Sequence, residues 1–266
     1  MSVIRVGAVQ YLNARPLVHG LEAQKDLFSF KFGVPAKCAS LLHERSVDLG
    51  LIPTIEYLRK PDYRLVPDIG VVSHGPVGSV ALFATRPIQA VRSIAVDTSS
   101  RTAATLLRIL CAEWFDIEPK FHTMAPDLDS MLKRCDAALL IGDAALFTEH
   151  ETVVDLDKID LGEEWTSMTN LPFVWAVWAG RDGAVDSEHL LALEKARAAG
   201  LQALDEIAGQ FGPTDADQAE LAREYLRKNV QFKLADNGLD GLKRYFELAL
   251  KMGIYQHSGV LQFYEK

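Results

Sequence analysis

This 266-residue sequence has few cysteines, no long apolar run and no excess of positive charge. The three cysteines, Cys38, Cys111 and Cys135, are odd in number and widely spaced, so we expect small buried side chains rather than disulfides, metal ligands or nucleophiles. No apolar stretch approaches the roughly 18 to 20 residues that a membrane-spanning helix needs. A formal net charge of −8 argues against non-specific binding to nucleic acid or anionic membranes, which requires a basic surface.

Export and cofactor signals are also missing. Met1 is followed almost directly by a strand at Ile4, without a basic segment and an apolar one, so we expect no signal peptide and a cytoplasmic location. A Gly-rich dinucleotide fingerprint, a P-loop and a His-Glu-x-x-His motif are absent, which predicts an activity without metal or nucleotide cofactor. A small anion remains a candidate ligand, because one local cluster of donors can bind it whatever the net charge.

Short β-rich runs alternate with helical patterns in the first part of the chain. Strands are predicted at 4–9 and 48–52, followed by helices at 12–21 and 54–58. This rhythm predicts βα units on a mainly parallel sheet.

A second α/β unit is predicted in the middle of the chain. It has a strand at 93–96, a helix at 127–134 and a strand at 137–141. The helix after the first of these strands carries five apolar residues on one face: Leu106, Leu107, Leu110, Cys111 and Trp114.

Two apolar segments, 78–87 and 172–180, are predicted to carry the chain between two lobes and so to form a hinge. Beyond them the pattern is helical. We predict helices at 186–211 and 239–252. A third helix between them is predicted to be capped by Thr214 and Asp215 and to end at Arg227. All three are expected to pack on the first lobe.

This organisation resembles the type 2 periplasmic-binding-protein fold, a two-lobed α/β architecture with a discontinuous first domain. We place the first lobe at 1–86 plus 178–266 and the second at 87–177. A ligand cleft is expected between them, where strands of open α/β sheets end at their carboxyl edge.

The loop after the first strand, 10–17, places an amide, a phenol and a guanidinium at that edge: Tyr11, Asn13 and Arg15. Residue chemistry alone favours a plainer interpretation, in which Asn13 caps a helix and Arg15 is a solvated charge. Both interpretations stay open at this point.

The segment 97–102 places Thr98, Ser99, Ser100, Arg101 and Thr102 at the start of a helix. Unpaired amides and the helix dipole attract negative charge there, and hydroxyls add hydrogen bonds. The alternative is helix capping, but one side chain suffices for a cap. The excess of hydroxyls favours an anion site.

Two further segments carry weaker signals. The loop 73–80 contains His74, Gly78 and Ser79, and its glycines permit either close approach to a ligand or an ordinary turn. Asp143 follows the strand 137–141, where a helix cap is more typical than a general base.

Several segments in their order along the chain together resemble the chorismate dehydratase family of the futalosine route to menaquinone. They are Tyr11-Leu12-Asn13-x-x-Pro16-Leu17, Val47 to Pro53, Gly75 to Ser79, Asp97 to Thr102, Ile141 to Ala144, Gly162 to Trp165 and Leu171 to Ala176. The similarity covers residues 4 to 181, and the later helices agree only in character.

The resemblance implies that chorismate is converted to 3-[(1-carboxyvinyl)oxy]benzoate and water, with loss of the C3 proton and the C4 hydroxyl. It also implies a central role for Asn13, which we expect to orient the substrate or its leaving hydroxyl because an amide is a poor base. The substrate's own enolpyruvyl carboxylate is then the expected proton acceptor, and closure of the lobes should exclude water. His74 and Asp143 are the alternative bases.

We expect two anion pockets around this substrate. Ser99, Ser100 and Thr102 are predicted to bind one carboxylate, while Ser79 and the Gly78 backbone bind the other. The remaining predicted substrate-binding residues are Tyr11, Thr98, Arg101 and Asp143.

Two other functions compete with this one. A 1,4-dihydroxy-6-naphthoate synthase of the same fold is disfavoured, because its usual Ser-Pro-Cys-Pro-Asn-Asp-Thr-Phe opening is absent. The second is a binding protein without chemistry, such as a transporter component or a ligand sensor. The oligomeric state is not encoded in any recognisable pattern.

Overall fold

The computed structural model describes residues 3–148, 156–211, 216–255 and 260–265. Its strands are β1 (Ile4–Val9), β2 (Phe28–Gly33), β3 (Leu49–Pro53), β4 (Tyr63–Ser73), β5 (Val80–Ala84), β6 (Ser93–Asp97), β7 (Lys120–Met124), β8 (Ala137–Ile141), β9 (Asp157–Asp160), β10 (Phe173–Arg181) and β11 (Gln231–Lys233).

The α-helices are α1 (Arg15–Val18), α2 (Pro35–His43), α3 (Thr102–Glu113), α4 (Leu128–Leu132), α5 (Asp143–Leu146), α6 (Leu161–Thr169), α7 (Ser187–Gln202), α8 (Leu204–Phe211), α9 (Ala216–Glu224) and α10 (Asp236–Lys251). A π-helical segment, Tyr225–Asn229, continues α9. Shorter 3₁₀ turns include Leu12–Ala14 and Thr54–Arg59. None of the helices in these described ranges is long and apolar enough to cross a membrane.

The first sheet has the strand order β11-β4-β10-β3-β1-β2. β1 runs parallel to β2 and β3, while β10 runs antiparallel to β3 and β4. Every residue of β3 is buried, as expected of a strand covered on both faces. The predicted βα units therefore form the parallel half of this sheet.

The second sheet has the order β7-β6-β8-β5-β9. β6 is parallel to β7 and β8, and β5 is antiparallel to β8 and β9. β5 and β8 are buried along their whole length. This sheet is the core of the second lobe.

The chain passes between the sheets twice. It leaves the first sheet at Ser73 and enters the second at Val80, and it returns between Asp160 and Phe173. The apolar runs expected to connect the lobes are instead the buried strands β5 and β10, because apolar side chains belong inside a sheet sandwiched by helices. We therefore move the predicted boundaries at 86/87 and 177/178 to the connections 74–79 and 161–172.

The predicted helices differ from the observed ones in their ends. The helix predicted at 12–21 is a 3₁₀ turn followed by the single turn α1, and Gly20 with φ of +75° begins the next turn. The long helix predicted at 186–211 is divided into α7 and α8 at Ala203. The predicted cap at Thr214 and Asp215 lies outside the described residues.

The C-terminal helices pack on the first lobe, as predicted. α7 contacts α1 so closely that a Cβ on Gly200 would lie 2.0 Å from the Pro16 carbonyl oxygen. α10 packs on β10, where Tyr245 makes an edge-to-face contact with Phe173 at 4.9 Å between ring centroids. Burial of such large aromatic rings stabilises the seam between the helices and the sheet.

The cysteines are buried free thiols, which confirms their prediction as small core residues. Burial raises the pKa of the Cys38 and Cys111 thiols to about 12, so both stay protonated at neutral pH. The apolar face predicted for α3 is buried except at Trp114. Helix α3 ends at Glu113, so Trp114 no longer lies on its buried face and is 45% exposed. Its indole N–H donates a hydrogen bond to Glu164 Oε2 at 2.6 Å.

Candidate active site

A cleft lies between the lobes, at the carboxyl ends of β1, β3, β6 and β8. Its polar lining residues come from the loop after β1 and from the start of α3. The lining residues are Val9, Tyr11, Asn13, Pro35, Leu51, Pro53, Val71, Val80, Ser100, Arg101, Thr102, Ala103, Ile141, Gly142, Trp175 and Ala176. The apolar walls would exclude water from a bound ring, and the polar groups would orient it.

The loop after β1 belongs to the first lobe and forms hydrogen bonds with the second. Tyr11 Oη lies 3.3 Å from Ser99 Oγ, and the Leu12 N–H donates to Asp143 Oδ1 at 3.0 Å. Both partners belong to the second lobe. Asn13 follows directly and lines the cleft. It lies inside the 3₁₀ turn Leu12–Ala14, and Ala14 rather than Asn13 is the N-cap residue of α1, which favours a functional over a capping role.

Gly142 is required where Tyr11 crosses to the second lobe. Its φ is +65°, and a Cβ there would lie 2.5 Å from Cδ2 of the Tyr11 ring. Any larger residue at position 142 would therefore push the Tyr11 ring away. The positive φ disfavours a side chain at this position as well. The glycine thus fixes how closely the loop can approach.

Asp143 occupies the first position of α5 and faces the first lobe. Its carboxylate accepts the Leu12 N–H rather than an amide of its own helix, so the predicted helix cap is wrong. Burial raises the pKa of Asp143 to about 6, against the opposing effects of the Leu12 amide and Arg15. The Asp143 carboxylate therefore holds the two lobes together through the Leu12 N–H, and it gains or loses its proton near pH 6.

Hydroxyl groups before α3 have different hydrogen-bond partners. Ser99 donates from both its N–H and its Oγ to Asp97 Oδ1, each at 2.7 Å. Ser100 Oγ accepts the Ala104 N–H at 3.1 Å, and Thr102 Oγ1 accepts the Ile55 N–H at 3.2 Å. The Ser100 and Thr102 hydroxyls still have a proton to donate, so both can bind an anion as well as fold the loop.

Three of the five predicted residues in this segment line the cleft: Ser100, Arg101 and Thr102. Thr98 is exposed outside it, and Ser99 lies behind it against Asp97. Arg101 is exposed at the start of α3, and no carboxylate of the described residues forms an ion pair with it. A cation and a helix N-terminus thus face the same space, which suits a carboxylate.

The predicted second anion pocket is not formed in this structure. The Gly78 N–H donates to Asp160 Oδ2 at 2.6 Å, and Ser79 Oγ lies 2.7 Å from Tyr225 Oη. Ser79 is only 1% exposed, and neither residue is part of the cleft lining. His74 is exposed and also lies outside the lining.

Asp160 holds the two connections between the lobes together. Its carboxylate accepts the N–H groups of Val77, Gly78, Gly162 and Glu163 at 2.6 to 3.1 Å. The first two belong to the outgoing connection and the last two to the return. This residue fixes the geometry of the predicted hinge.

Tyr225 and Trp175 are site residues that sequence reasoning missed. The Tyr225 hydroxyl lies 2.7 Å from Ser79 Oγ beside the cleft, and Trp175 lines the cleft while it donates to Ser73 Oγ at 3.0 Å. Tyr225 lies 146 residues from Ser79 in a helical pattern, so no local signal indicates the contact.

No group of three or more His, Cys, Asp or Glu side chains in the described ranges is arranged to hold a metal ion.

Sequence comparison identifies a family and named relatives. The menaquinone-biosynthesis family matches residues 4–251. A chorismate dehydratase of Thermus thermophilus is 31% identical over 258 residues, which cover 91% of this chain and 93% of the relative. A chorismate dehydratase of Campylobacter jejuni is 30% identical over 167 residues, or 62% of this chain and 58% of the relative.

Solved structures show the same fold at low sequence identity. A crystal structure from Archaeoglobus fulgidus has a TM-score of 0.76 at 19% identity and covers 94% of this chain and 98% of that one. The periplasmic aliphatic sulphonate binding protein SsuA of Escherichia coli has a TM-score of 0.68 at 14% identity and covers 100% and 95%. The predicted periplasmic-binding-protein-like α/β fold is thus confirmed.

Proposed function

This chain belongs to the menaquinone-biosynthesis family, and we propose that it acts there as a chorismate dehydratase in the cleft between its lobes. It is a hydro-lyase: chorismate loses its C3 proton and its C4 hydroxyl, and 3-[(1-carboxyvinyl)oxy]benzoate and one water leave. The carrying observation is that Arg101, without a carboxylate partner among the described residues, shares one cleft with Asn13. The substrate has two carboxylates that such a cation can bind.

The start of α3 is the proposed carboxylate site. Arg101, the hydroxyls of Ser100 and Thr102 and the first amides of the helix would hold the ring carboxylate. Loss of the C3 proton sends negative charge through the diene to that carboxylate. A preorganised donor at developing charge is worth about 3 to 4 kcal/mol of transition-state stabilisation, so this site would contribute to rate as well as to binding.

Asn13 is the proposed catalytic residue at the other side of the cleft. Its amide is neutral at all working pH values and cannot take the C3 proton. It can donate a hydrogen bond to the C4 hydroxyl and assist its departure. Tyr11 would close over the substrate from the same loop.

The proton acceptor in this proposal is the enolpyruvyl carboxylate of the substrate. It reaches C3 within the same molecule, and proximity replaces a protein base. Asp143 is the candidate base of the protein, but its carboxylate already accepts the Leu12 N–H. A chorismate analogue without the enolpyruvyl carboxylate should bind and not turn over; normal turnover would shift the role to Asp143.

Closure of the lobes belongs to the proposed cycle. The hydrogen bonds Tyr11–Ser99 and Leu12–Asp143 span the lobes, so admission of substrate requires the loop to release its partners. Small-angle scattering should show a smaller radius of gyration with a saturating product analogue. An unchanged radius would remove closure from the cycle.

A cytoplasmic location and a small anionic partner complete the proposal. The buried free thiols suit a reducing compartment.

The direct test is incubation of the purified protein with chorismate alone. We expect an aromatic product, seen by absorbance, whose mass is that of chorismate less one water. Binding without turnover would favour a binding protein. Neither binding nor turnover would reopen the naphthoate synthase alternative.

A further inference from the structure

A chain of three hydrogen-bonding side chains extends from the end of β6 to the cleft. Asp97, the last residue of β6, is 1% exposed, and its Oδ1 accepts both the N–H and the Oγ–H of Ser99 at 2.7 Å. Ser99 Oγ in turn lies 3.3 Å from Tyr11 Oη. Tyr11 lines the cleft, so the chain connects a buried carboxylate of the second lobe to the space where the substrate is proposed to bind.

The Ser99 hydroxyl has one proton, and the geometry decides which neighbour receives it. A carboxylate oxygen only accepts, and an O–H···O⁻ bond is shorter and roughly twice as strong as a bond between neutral groups. The 2.7 Å bond to Asp97 therefore takes the Ser99 proton, and the 3.3 Å contact with Tyr11 does not. Ser99 Oγ is left to accept, so Tyr11 is the donor in the contact between them.

Tyr11 also has a single proton. Burial raises the pKa of its phenol above the ordinary value, so the group is neutral at pH 7. Once that proton is given to Ser99, the phenol oxygen presents only lone pairs to the cleft. A ligand group beside Tyr11 Oη must therefore donate a hydrogen bond, and a carboxylate in that place would find no proton to accept.

Chorismate has one hydrogen-bond donor at neutral pH, which is the C4 hydroxyl. Its two carboxylates and its ether oxygen only accept. We propose that Tyr11 determines specificity by accepting the hydrogen bond of the C4 hydroxyl, and that Asp97 is a positioning residue that fixes the phenol as an acceptor through Ser99. This inference rests on the proposed dehydratase function.

The C4 hydroxyl can serve Tyr11 and Asn13 at the same time. With its proton directed at Tyr11, its oxygen lone pairs stay free for the NH₂ group of Asn13, two residues along the same loop. The aromatic product has no hydroxyl at C4. Tyr11 would therefore hold the substrate and not the product, which favours release after the reaction.

The position of Ser99 does not depend on its hydroxyl. The preceding residue is held by the second sheet, because the Thr98 N–H donates to the Met124 carbonyl at 3.0 Å. The Ser99 N–H would still donate to Asp97 in an alanine variant. Ser99→Ala should therefore free the Tyr11 proton and keep the loop.

Ser99→Ala tests the direction of the chain, with the 4-methyl ether of chorismate as a probe that only accepts at C4. Turnover of chorismate gives KM, and competition with that turnover gives the Ki of the ether. Because the freed Tyr11 proton can be given to the ether oxygen, we expect this Ki to fall about 2- to 10-fold, the usual effect of one hydrogen bond. KM for chorismate should not fall, since Tyr11 already accepts from it.

Thr123→Ala is the matched control, because it removes an exposed hydroxyl from β7, the strand beside β6. It should change neither constant. If Ser99 only supported the fold, Ser99→Ala would raise KM and Ki together. That result, or an unchanged Ki of the ether, would overturn the proposal. An inactive wild type would instead remove the dehydratase function on which the proposal rests.

Tyr11→Phe is the second variant, and it serves if Ser99→Ala does not fold. It keeps the ring beside Gly142 and removes the acceptor. KM for chorismate should rise about 2- to 10-fold, whereas the Ki of the ether should not rise. Parallel rises of both constants would contradict recognition of a donor.

Two substitutions of Asp97 test its part in the chain. Asp97→Ala removes the acceptor of the Ser99 proton, so the Ki of the ether should fall as in Ser99→Ala. Asp97→Asn keeps an oxygen that accepts this proton, and its Ki should fall less. Equal values in the two Asp97 variants, or the wild-type Ki in Asp97→Ala, would remove Asp97 from the chain.

Discussion

The segments 97–102 and 73–80 were both predicted to bind a carboxylate, yet their polar groups have different partners. Both follow a strand, and both contain serines and lie at the junction of the lobes. The first presents Ser100, Arg101 and Thr102 to the cleft. The second gives the Gly78 amide to Asp160 and the Ser79 hydroxyl to Tyr225. A polar loop is thus a binding site only where its donors are left without a partner inside the protein.

Asn13→Ala should produce the largest effect, because we propose that this amide, which shares the cleft with the first loop, acts on the reacting bond. We expect kcat to fall by about 10² to 10³, the usual cost of a lost donor at developing charge. The measurement is steady-state turnover of chorismate, with Asn237→Ala, an exposed residue at the start of α10, as control. Wild-type kcat in Asn13→Ala would remove this residue from the mechanism.

Arg101→Ala should come next and act on binding. A charge-assisted hydrogen bond contributes about 1.5 to 3 kcal/mol, so the Kd of chorismate should rise about 10- to 100-fold. Titration calorimetry measures this, with the reaction product in place of chorismate so that no turnover occurs, and Lys133→Ala, an exposed cation of the same lobe, serves as control. Equal losses in both variants would mean that only the general charge of the lobe matters.

Ser100→Ala and Ser79→Ala compare the two loops directly. Ser100→Ala should raise the Kd several-fold, whereas Ser79→Ala should leave the Kd unchanged. Both should also lower the free energy of unfolding. The loss is about 1 kcal/mol for Ser100→Ala, which removes the hydrogen bond to the Ala104 N–H, and about 1 to 3 kcal/mol for Ser79→Ala, which leaves the buried Tyr225 hydroxyl without this partner. A rise in Kd for Ser79→Ala would restore the second anion pocket.

Asp143→Asn comes last, because its predicted effect is on stability and appears only at neutral pH. The pKa of Asp143 is raised from 3.8 to about 6, so its protonated form stabilises the fold below about pH 4, and this contribution is lost as the pH rises through 6. Asparagine is neutral and still accepts the Leu12 N–H. Urea unfolding at neutral pH should show a gain on the order of 1 to 3 kcal/mol, which vanishes near pH 4.

The control for this variant is Asp129→Asn, an exposed carboxylate on α4. A pH-independent gain in Asp143→Asn, or none at all, would contradict a buried carboxylate between the lobes.

The fold could be predicted from the sequence where short apolar strands alternate with helical patterns. Short β-rich or apolar runs that alternate with helical patterns predicted β1, β3, β6 and β8, and these strands form as expected. The connections could not be placed, because β5 and β10 are as apolar as any core strand and give no sign of which sheet they join.

The site was predictable only where residues lie close together in sequence. Asn13 and 100–102 were found because each follows a strand, and their meeting in one cleft follows from the fold. The Tyr225 contact with Ser79 and the Asp160 contacts with both connections depend on tertiary packing between distant segments. A sequence shows which side chains can bond, whereas the packed structure decides which of them already have partners.

A crystal structure of Asn13→Ala soaked with chorismate tests the central claim most directly. We predict unreacted chorismate between the loop after β1 and the start of α3, with one carboxylate on Arg101 and the C4 hydroxyl turned toward position 13. Chorismate bound elsewhere, or with both carboxylates away from Arg101, would contradict this account of the cleft.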